Sequence, residues 1–204
     1  MRSAINKKPV SGKIFLDTLG FQGDGIGNPK IHGGKDKAVC VYCLDHFPFW
    51  ESELGRELLP GAFGENLSVS GITEKDVRIG DRFRVGEAEV QCTQPRQPCR
   101  NLNSFMDEAN MVARVKESGY TGFYMRVLKT GWVEPGIEFE LLERQSENGS
   151  VEAANILLYK DKLNFQKIRE FLANDSLSES WREIFNRLLN NKSSKDFSLN
   201  SRKD

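Results

Sequence analysis

Cys99 stands in the stretch QPRQPCRNL, residues 94 to 102, with Arg96 and Arg100 on either side of it. Cationic neighbours favour the thiolate, lowering a free thiol from its ordinary pKa of about 8.5, and a thiolate is both a nucleophile and a metal ligand. Pro95 and Pro98 fix their own φ and push the residue before each toward extended geometry. Arg96, Gln97 and Cys99 are therefore left few conformations. A side chain held in this way either locks a turn in the core or presents an atom to something else. The other reading of the same residues is an inert cysteine packed in a turn.

A second group lies in the glycine-rich run from Gly20 to Lys37. There His32, Lys35 and Lys37 surround Gly33 and Gly34, whose backbone N–H groups could form an anion-binding nest. Two familiar phosphate cradles do not fit. A dinucleotide fingerprint needs glycine where Asn28 stands, and a Walker loop needs glycine at Pro29 and Ser or Thr at Asp36. A flexible β-connection with solvated lysines is the alternative. Glu65 and Asn66 sit where a glycine turn enters a strand, a place that can aim polar side chains into a pocket or use them to satisfy local backbone groups. His46 reads as a helix-start residue beside Asp45 and Pro48.

The remaining cysteines look structural. Cys40 and Cys43 spell CVYC, but the run from Lys37 to Cys43 reads as a buried strand. Three residues along a strand span about 10 Å and point to opposite faces, whereas a disulfide needs Cα atoms within roughly 7 Å. There is no second CxxC to complete a structural zinc site, because Cys92 and Cys99 are separated by six residues. Cys40, Cys43 and Cys92 are read as core residues, the last continuing the apolar face of Ala88 and Val90.

The elements that must position these groups follow from patterning. From residue 12 to about 144, short apolar or alternating segments recur between glycine-rich turns, as a barrel or sandwich requires. The expected strands are 12–19, 38–43, 66–70, 82–93, 123–128 and 137–142. Residues 82–93 form a hairpin about Gly86-Glu87, and Ile137, Phe139 and Leu141 should face inward. Helices are expected at 47–58 and 104–117, the latter with Ser104 and Asp107 as a capping pair. After residue 148 the spacing changes to helix period, giving three short helices through about 191. Each is too short to be stable alone, so they must pack. The expected division is 1–148 for the β domain, 149–191 for the helical unit and 192–204 for a polar tail.

The chain has 204 residues, with 29 Lys+Arg against 29 Asp+Glu. That length suits one main core with a small appendage, and the charge balance argues against a general nucleic-acid or anionic-membrane binder. No segment approaches a membrane span, and the first residues lack the apolar core of a secretory signal. A soluble cytoplasmic protein with reduced thiols is expected.

HGGKDKA at 32–38, FGENL at 63–67, IGD at 79–81 and QPRQPCRNL, in this order, resemble the MOSC family, named after the C-terminal domain of molybdenum cofactor sulfurases. The likeness is strongest to its YiiM-like bacterial branch, whose C-terminal three-helix unit falls where residues 151–190 stand, including LSESW at 177–181. The resemblance implies a mainly β fold with α, a MOSC-type β-barrel with covering helices and the helical unit behind it. It also implies a pyranopterin molybdenum cofactor, with Cys99 as the molybdenum ligand or as a sulfur carrier. His32, Gly33, Gly34, Lys37 and Arg96 are then the expected groups around the cofactor and its phosphate. Glu65, Asn66, His32 and Tyr124 are candidates for orienting substrate or relaying protons.

Relatives are associated with reduction of N-hydroxylated bases and amines, so the implied activity is an oxidoreductase acting on N-hydroxylated small molecules. No flavin, nicotinamide or iron–sulfur fingerprint is present, which implies a separate electron-donating reductase. No nucleic-acid polymer or membrane is expected as a partner, and a homodimer is left open. Two other readings stand beside this one: sulfur transfer through a Cys99 persulfide, and a non-catalytic carrier of the cofactor.

Overall fold

The computed structural model describes residues 5–25 and 33–200, with side chains as far as residue 190. Its centre is β3 (Val39–Cys43), whose VCVYC sequence is buried at every position. A strand apolar throughout must be covered on both faces, which marks it as interior. It pairs in parallel with β4 (Leu67–Val69) and antiparallel with β7 (Phe123–Lys129). The sheet continues through β6 (Ala88–Pro95) and β5 (Arg82–Val85) to β9 (Phe139–Glu143), in the order β4-β3-β7-β6-β5-β9. This mixed sheet forms a half-barrel. A second sheet, ordered β2-β1-β8, joins β1 (Ile14–Asp17) to β2 (Gly20–Phe21) and β8 (Gly131–Val133). The pairing of β6 with β7 shifts register between Glu89 and Val90 and again between Cys92 and Gln94. Such irregularities bend and twist a strand, as a curling sheet requires.

The expected hairpin is present: Val85 pairs with Ala88 across the two-residue turn Gly86-Glu87. The inward face expected for residues 137–142 is only partly formed. Phe139 stacks on Phe83 at 4.4 Å between centroids, but Ile137 precedes the strand, and it and Leu141 are each 40% exposed. The reason is position, since β9 is an edge strand. Glu140 and Glu143 pair there with Arg84 and Arg82 at 3.0 and 2.9 Å, and charge of this kind keeps an open edge from recruiting another chain.

The helices depart further from expectation. Helix α1 (Phe47–Leu54) stops four residues before Leu58, because Gly55 turns into the left-handed region and returns its N–H to the Glu51 carbonyl at 2.9 Å. The expected helix 104–117 is two: α2 (Asn101–Met106) and α3 (Met111–Ser118). Asp107, at φ 53°, ends the first, so Ser104 lies inside α2 and the Ser104–Asp107 capping pair does not form. Asn103 ties the two together instead, donating to the Ala109 carbonyl at 2.5 Å and accepting from the Val112 amide at 2.8 Å.

Beyond the sheet, α4 (Val151–Tyr159) is capped by Ser150, whose hydroxyl accepts the Ala153 amide, and α5 (Phe165–Leu172) by Asn164. Helix α6 (Glu179–Asn200) runs 22 residues, so its backbone is helical across most of the segment read as a polar tail. Among the described residues no helix is long and apolar enough to cross a membrane.

These last three helices share the core of the sheet. Val151, Ala154, Ile168 and Trp181 belong to the same buried cluster as Val90 and Cys92. A second cluster, built on Tyr42, Trp50, Phe63, Leu102 and Met111, lies under α1 to α3.

Trp181 is fully buried and meets Phe185 edge-on at 5.4 Å, while its indole N–H has no hydrogen-bond partner among the described residues. Trp181→Ala should cost about 3–5 kcal/mol in urea unfolding. Trp181→Phe should cost much less, because it also removes a buried N–H without a partner. Equal losses for the two variants would contradict this packing.

Candidate functional site

The site forms where the end of β6 meets the turn entering β4. Arg96 follows Pro95 directly; its backbone N–H donates to the Gly122 carbonyl at 3.0 Å and its guanidinium to the Phe63 carbonyl at 2.5 Å. The side chain is buried, and its charged or ionisable neighbours are Cys40, Tyr124, Glu65 and Tyr42. A guanidinium keeps its charge in such a place, so it is a fixed positive centre beneath the surface.

Glu65 is buried too, and its carboxylate is heavily committed. One oxygen accepts the Gly61 amide at 2.7 Å and the Ser68 hydroxyl at 2.7 Å, and the other accepts the Phe63 amide at 3.0 Å. Those bonds fix the turn at 60–64 and so the carbonyl that Arg96 grips. Asn66 is similarly engaged: its side chain accepts the Cys40 amide at 3.0 Å and donates to Asp24 at 2.7 Å. Both side chains therefore shape the wall of the site through local backbone groups.

Cys99 lies three residues beyond Arg96, its carbonyl accepting the Leu102 amide as α2 begins. Of the four cysteines it alone is not buried. Burial raises the thiol pKa of Cys40, which Arg96 opposes, and burial likewise raises those of Cys43 and Cys92. Tyr124, on β7, has Cys40, Arg96 and Cys99 as neighbours; burial above all, then Cys40, pushes its phenol up, so it stays protonated. Cys99, Arg96, Cys40 and Tyr124 thus make one group that the sequence separates by up to 84 positions.

The glycine loop packs against β6 and β7. Gly34 has φ 99°, and a Cβ there would meet nothing within 4 Å, so its backbone faces open space. A single 3-10 turn follows at Lys35–Lys37. Thr93 donates to the Asp36 carbonyl at 2.7 Å, which pins the turn to β6. The Asp36 carboxylate meets Arg126 at 2.9 Å and accepts the Glu179 amide of α6 at 3.3 Å. Burial lowers the Lys37 ammonium pKa, and Asp36 and Glu183 partly restore it. Gly33 is part-buried beside Gly34. His32 lies outside the described residues.

An open cleft of about 380 Å³ borders the turn that Glu65 fixes, lined by Lys7, Arg56, Leu59, Gly61, Phe105 and Met106. Helix α2 carries the last two, and so runs from Cys99 toward this hollow.

One polar group was not legible in sequence. Cys43, His46 and Glu74 are all buried and bring a thiol, an imidazole and a carboxylate within 4.8 Å of one another. His46, read as a helix-start residue, closes the turn Leu44–His46 and bonds Glu74 at 2.6 Å. The CVYC spacing was the only local signal, and it points to the wrong pair.

Both the sequence and the fold have known relatives. Residues 28–140 match the MOSC domain, and residues 150–192 match the YiiM-like 3-alpha helix domain. The chain is 48% identical over 185 residues to the uncharacterised protein YflK of Bacillus subtilis (strain 168), covering 91% of this chain and 84% of that one. The crystal structure of YiiM from Geobacillus stearothermophilus is similar with a TM-score of 0.82 at 36% identity, covering 91% of this chain and 88% of the other. A protein of Gibberella moniliformis (strain M3125 / FGSC 7600) named "Reductase" is 37% identical over 153 residues; these are 73% of this chain but 27% of that protein.

The burial pattern predicts selective thiol chemistry. Ellman's reagent should report one fast thiol in the native protein and four after unfolding in guanidinium, with the fast one absent in Cys99→Ser. Fast reaction persisting in that variant would mean that the buried cysteines are reachable.

Proposed function

The chain belongs to the MOSC domain family, in its YiiM-like branch, and from that premise we propose that it is a molybdenum-cofactor-dependent oxidoreductase reducing N-hydroxylated nucleobases or related N-oxygenated compounds. The observation that carries the proposal is the placement of Cys99: the one part-exposed thiol, three residues past the buried Arg96 guanidinium, with Tyr124 a neighbour of both.

The residues fit the group. Cys99 would hold molybdenum, a thiophilic metal suited to a soft sulfur ligand. The Gly33 and Gly34 amides, Lys37, Arg96 and His32 would take the phosphate of the pyranopterin. Bound there, the cofactor supplies two-electron redox chemistry at the metal.

Reduction of an N–OH group consumes two electrons and two protons and gives N–H and water. Tyr124, held protonated by burial, hydrogen-bonds the Cys40 sulfur, has Cys99 as a further neighbour, and cannot act as a base near neutrality. Arg96 supplies a fixed buried positive charge that would attract the cofactor's phosphate. Glu65 and Asn66 are positioning residues, because they hold the 60–66 turn through its amides and through β3. The cleft beside Lys7 and Arg56 offers room for a planar polar substrate.

The electrons come from a separate reductase in this reading. The fungal relative named a reductase carries the matched region as 27% of its length, so other sequence accompanies it there. Reduced thiols accord with a cytoplasmic setting.

Protein made in a host that synthesises the cofactor should carry about one molybdenum per chain by elemental analysis, and Cys99→Ala should lose both the metal and N-reduction with a supplied electron donor. Full N-reduction by a molybdenum-loaded Cys99→Ala would overturn the ligand assignment. A molybdenum-free wild type with a trapped persulfide on Cys99 would instead establish sulfur transfer.

A further inference from the structure

We propose that Cys43, His46 and Glu74 form a second metal site, separate from Cys99, for one borderline-soft divalent cation of the zinc type. Three different donors converge there, all buried, two from the continuous segment 43–46 and one from the segment after β4. Cys43 is the last residue of β3, and the 3-10 turn Leu44–His46 brings His46 back over it. Glu74 arrives from the segment after β4, which lies parallel to β3 with Val69 opposite Cys43. The spacing is therefore C-x2-H with a distant carboxylate, a pattern that no local motif reveals.

The imidazole and the carboxylate hydrogen-bond each other, and the thiol stands just outside that pair, where a cation could draw all three together. Oε2 of Glu74 is 2.6 Å from Nε2 of His46 and 3.9 Å from Sγ of Cys43. Zinc bonds of about 2.0–2.3 Å at tetrahedral angles place ligand atoms roughly 3.2–3.8 Å apart. The histidine–carboxylate pair must open by about 0.6 Å or more and the thiol must draw in, starting from three atoms that already lie within 4.8 Å of one another. A hydrogen bond explains the imidazole and the carboxylate; the thiol gains only a weak contact from it.

The surrounding groups orient the ligands as outer partners do in metal sites. The Gly122 amide donates to Oε1 of Glu74 at 2.7 Å, leaving Oε2 for the other two donors. Tyr120 stacks on the His46 ring at 3.8 Å, and Tyr42 meets it edge-on at 6.0 Å. Charge balances as well: a divalent ion, one thiolate, one carboxylate and one neutral imidazole sum to zero, which suits a buried position. The thiol is held protonated by burial and then by Glu74, so binding displaces its proton to solvent. No other His, Cys, Asp or Glu atom joins the group among the described residues, and the fourth position falls to water.

The inference does not rest on the oxidoreductase reading, and Cys99 separates the two. Chelator-treated full-length protein titrated with Co2+ should develop tetrahedral d–d bands and a thiolate-to-cobalt charge-transfer band with about one equivalent, displaced by Zn2+. The charge-transfer band should vanish in Cys43→Ser and persist in Cys99→Ser. Should Cys43→Ser fold poorly, His46→Gln gives a second measure. Zn2+ should raise the thermal midpoint of wild type and Cys99→Ser but not of His46→Gln, since a ligand of the native state alone stabilises it. Folded wild type without the cobalt spectrum, a band that follows Cys99, or an undiminished Zn2+ shift in His46→Gln would each overturn the assignment.

Discussion

The peptide around Gly122 is the constraint on which the rest depends. At φ 69° it passes so close to β3 that a Cβ would lie 2.3 Å from the Val41 carbonyl oxygen, so no other residue fits there without moving the central strand. Its carbonyl accepts the Arg96 amide at 3.0 Å and the Thr121 hydroxyl at 2.8 Å, while its N–H is held by Glu74 at 2.7 Å. The backbone of one residue therefore ties both the Arg96 amide and the Glu74 carboxylate to the same point beside β3. A shift in either would be felt by the other through backbone rather than through a chain of side chains.

Magnitudes show which charges matter. Surface pairs such as Arg84 with Glu140 contribute about 0–1 kcal/mol each. A buried ion left without compensation costs several kcal/mol. Arg96 is a buried ion that escapes this cost, because the structure surrounds it with a carbonyl, a carboxylate, two phenols and a thiol. That arrangement holds the charge in place, and an incoming phosphate would find the cation already oriented. The same reasoning explains why Glu65 takes three donors: a buried carboxylate needs them, and the turn they build is what grips Arg96.

Sequence patterning located the elements whose signal is local. The buried run of β3, the hairpin at Gly86-Glu87 and the 3.6-residue period after residue 148 all depend on neighbours within a few positions, and they appear as expected. Where a single residue overrides the period, the reading fails: Asp107 breaks one helix into two, and Gly55 shortens another. Edge position is equally invisible, which is why Leu141 looked inward and is exposed. At the site, the cysteine between arginines was legible, because proline and charge act through adjacent bonds. The direction of Glu65 and Asn66 was not, since whether a turn carboxylate faces a pocket or its own amides depends on the fold. Glu74 lies 28 residues from His46 and carries no signature of its own.

The C-terminal helices bear on the site as well as on stability. The Asp36 carboxylate is shared between Arg126 of β7 and the first amide of α6, and Ser178 and Ser180 bond the Thr93 carbonyl and the Gln94 side chain. The loop carrying Gly34 and Lys37 is thus clamped between the sheet and α6, with Glu183 of that helix as a charged neighbour of the lysine. A half-buried ammonium whose pKa is lowered by burial gains from added negative charge, so an anion arriving at the loop would favour the charged form of Lys37, against the repulsion of Asp36 and Glu183. The helical unit supplies the far jaw of that clamp. Its attachment to the sheet is through a common core, with Val151, Ala154, Ile168 and Trp181 buried in the same cluster as Val90 and Cys92.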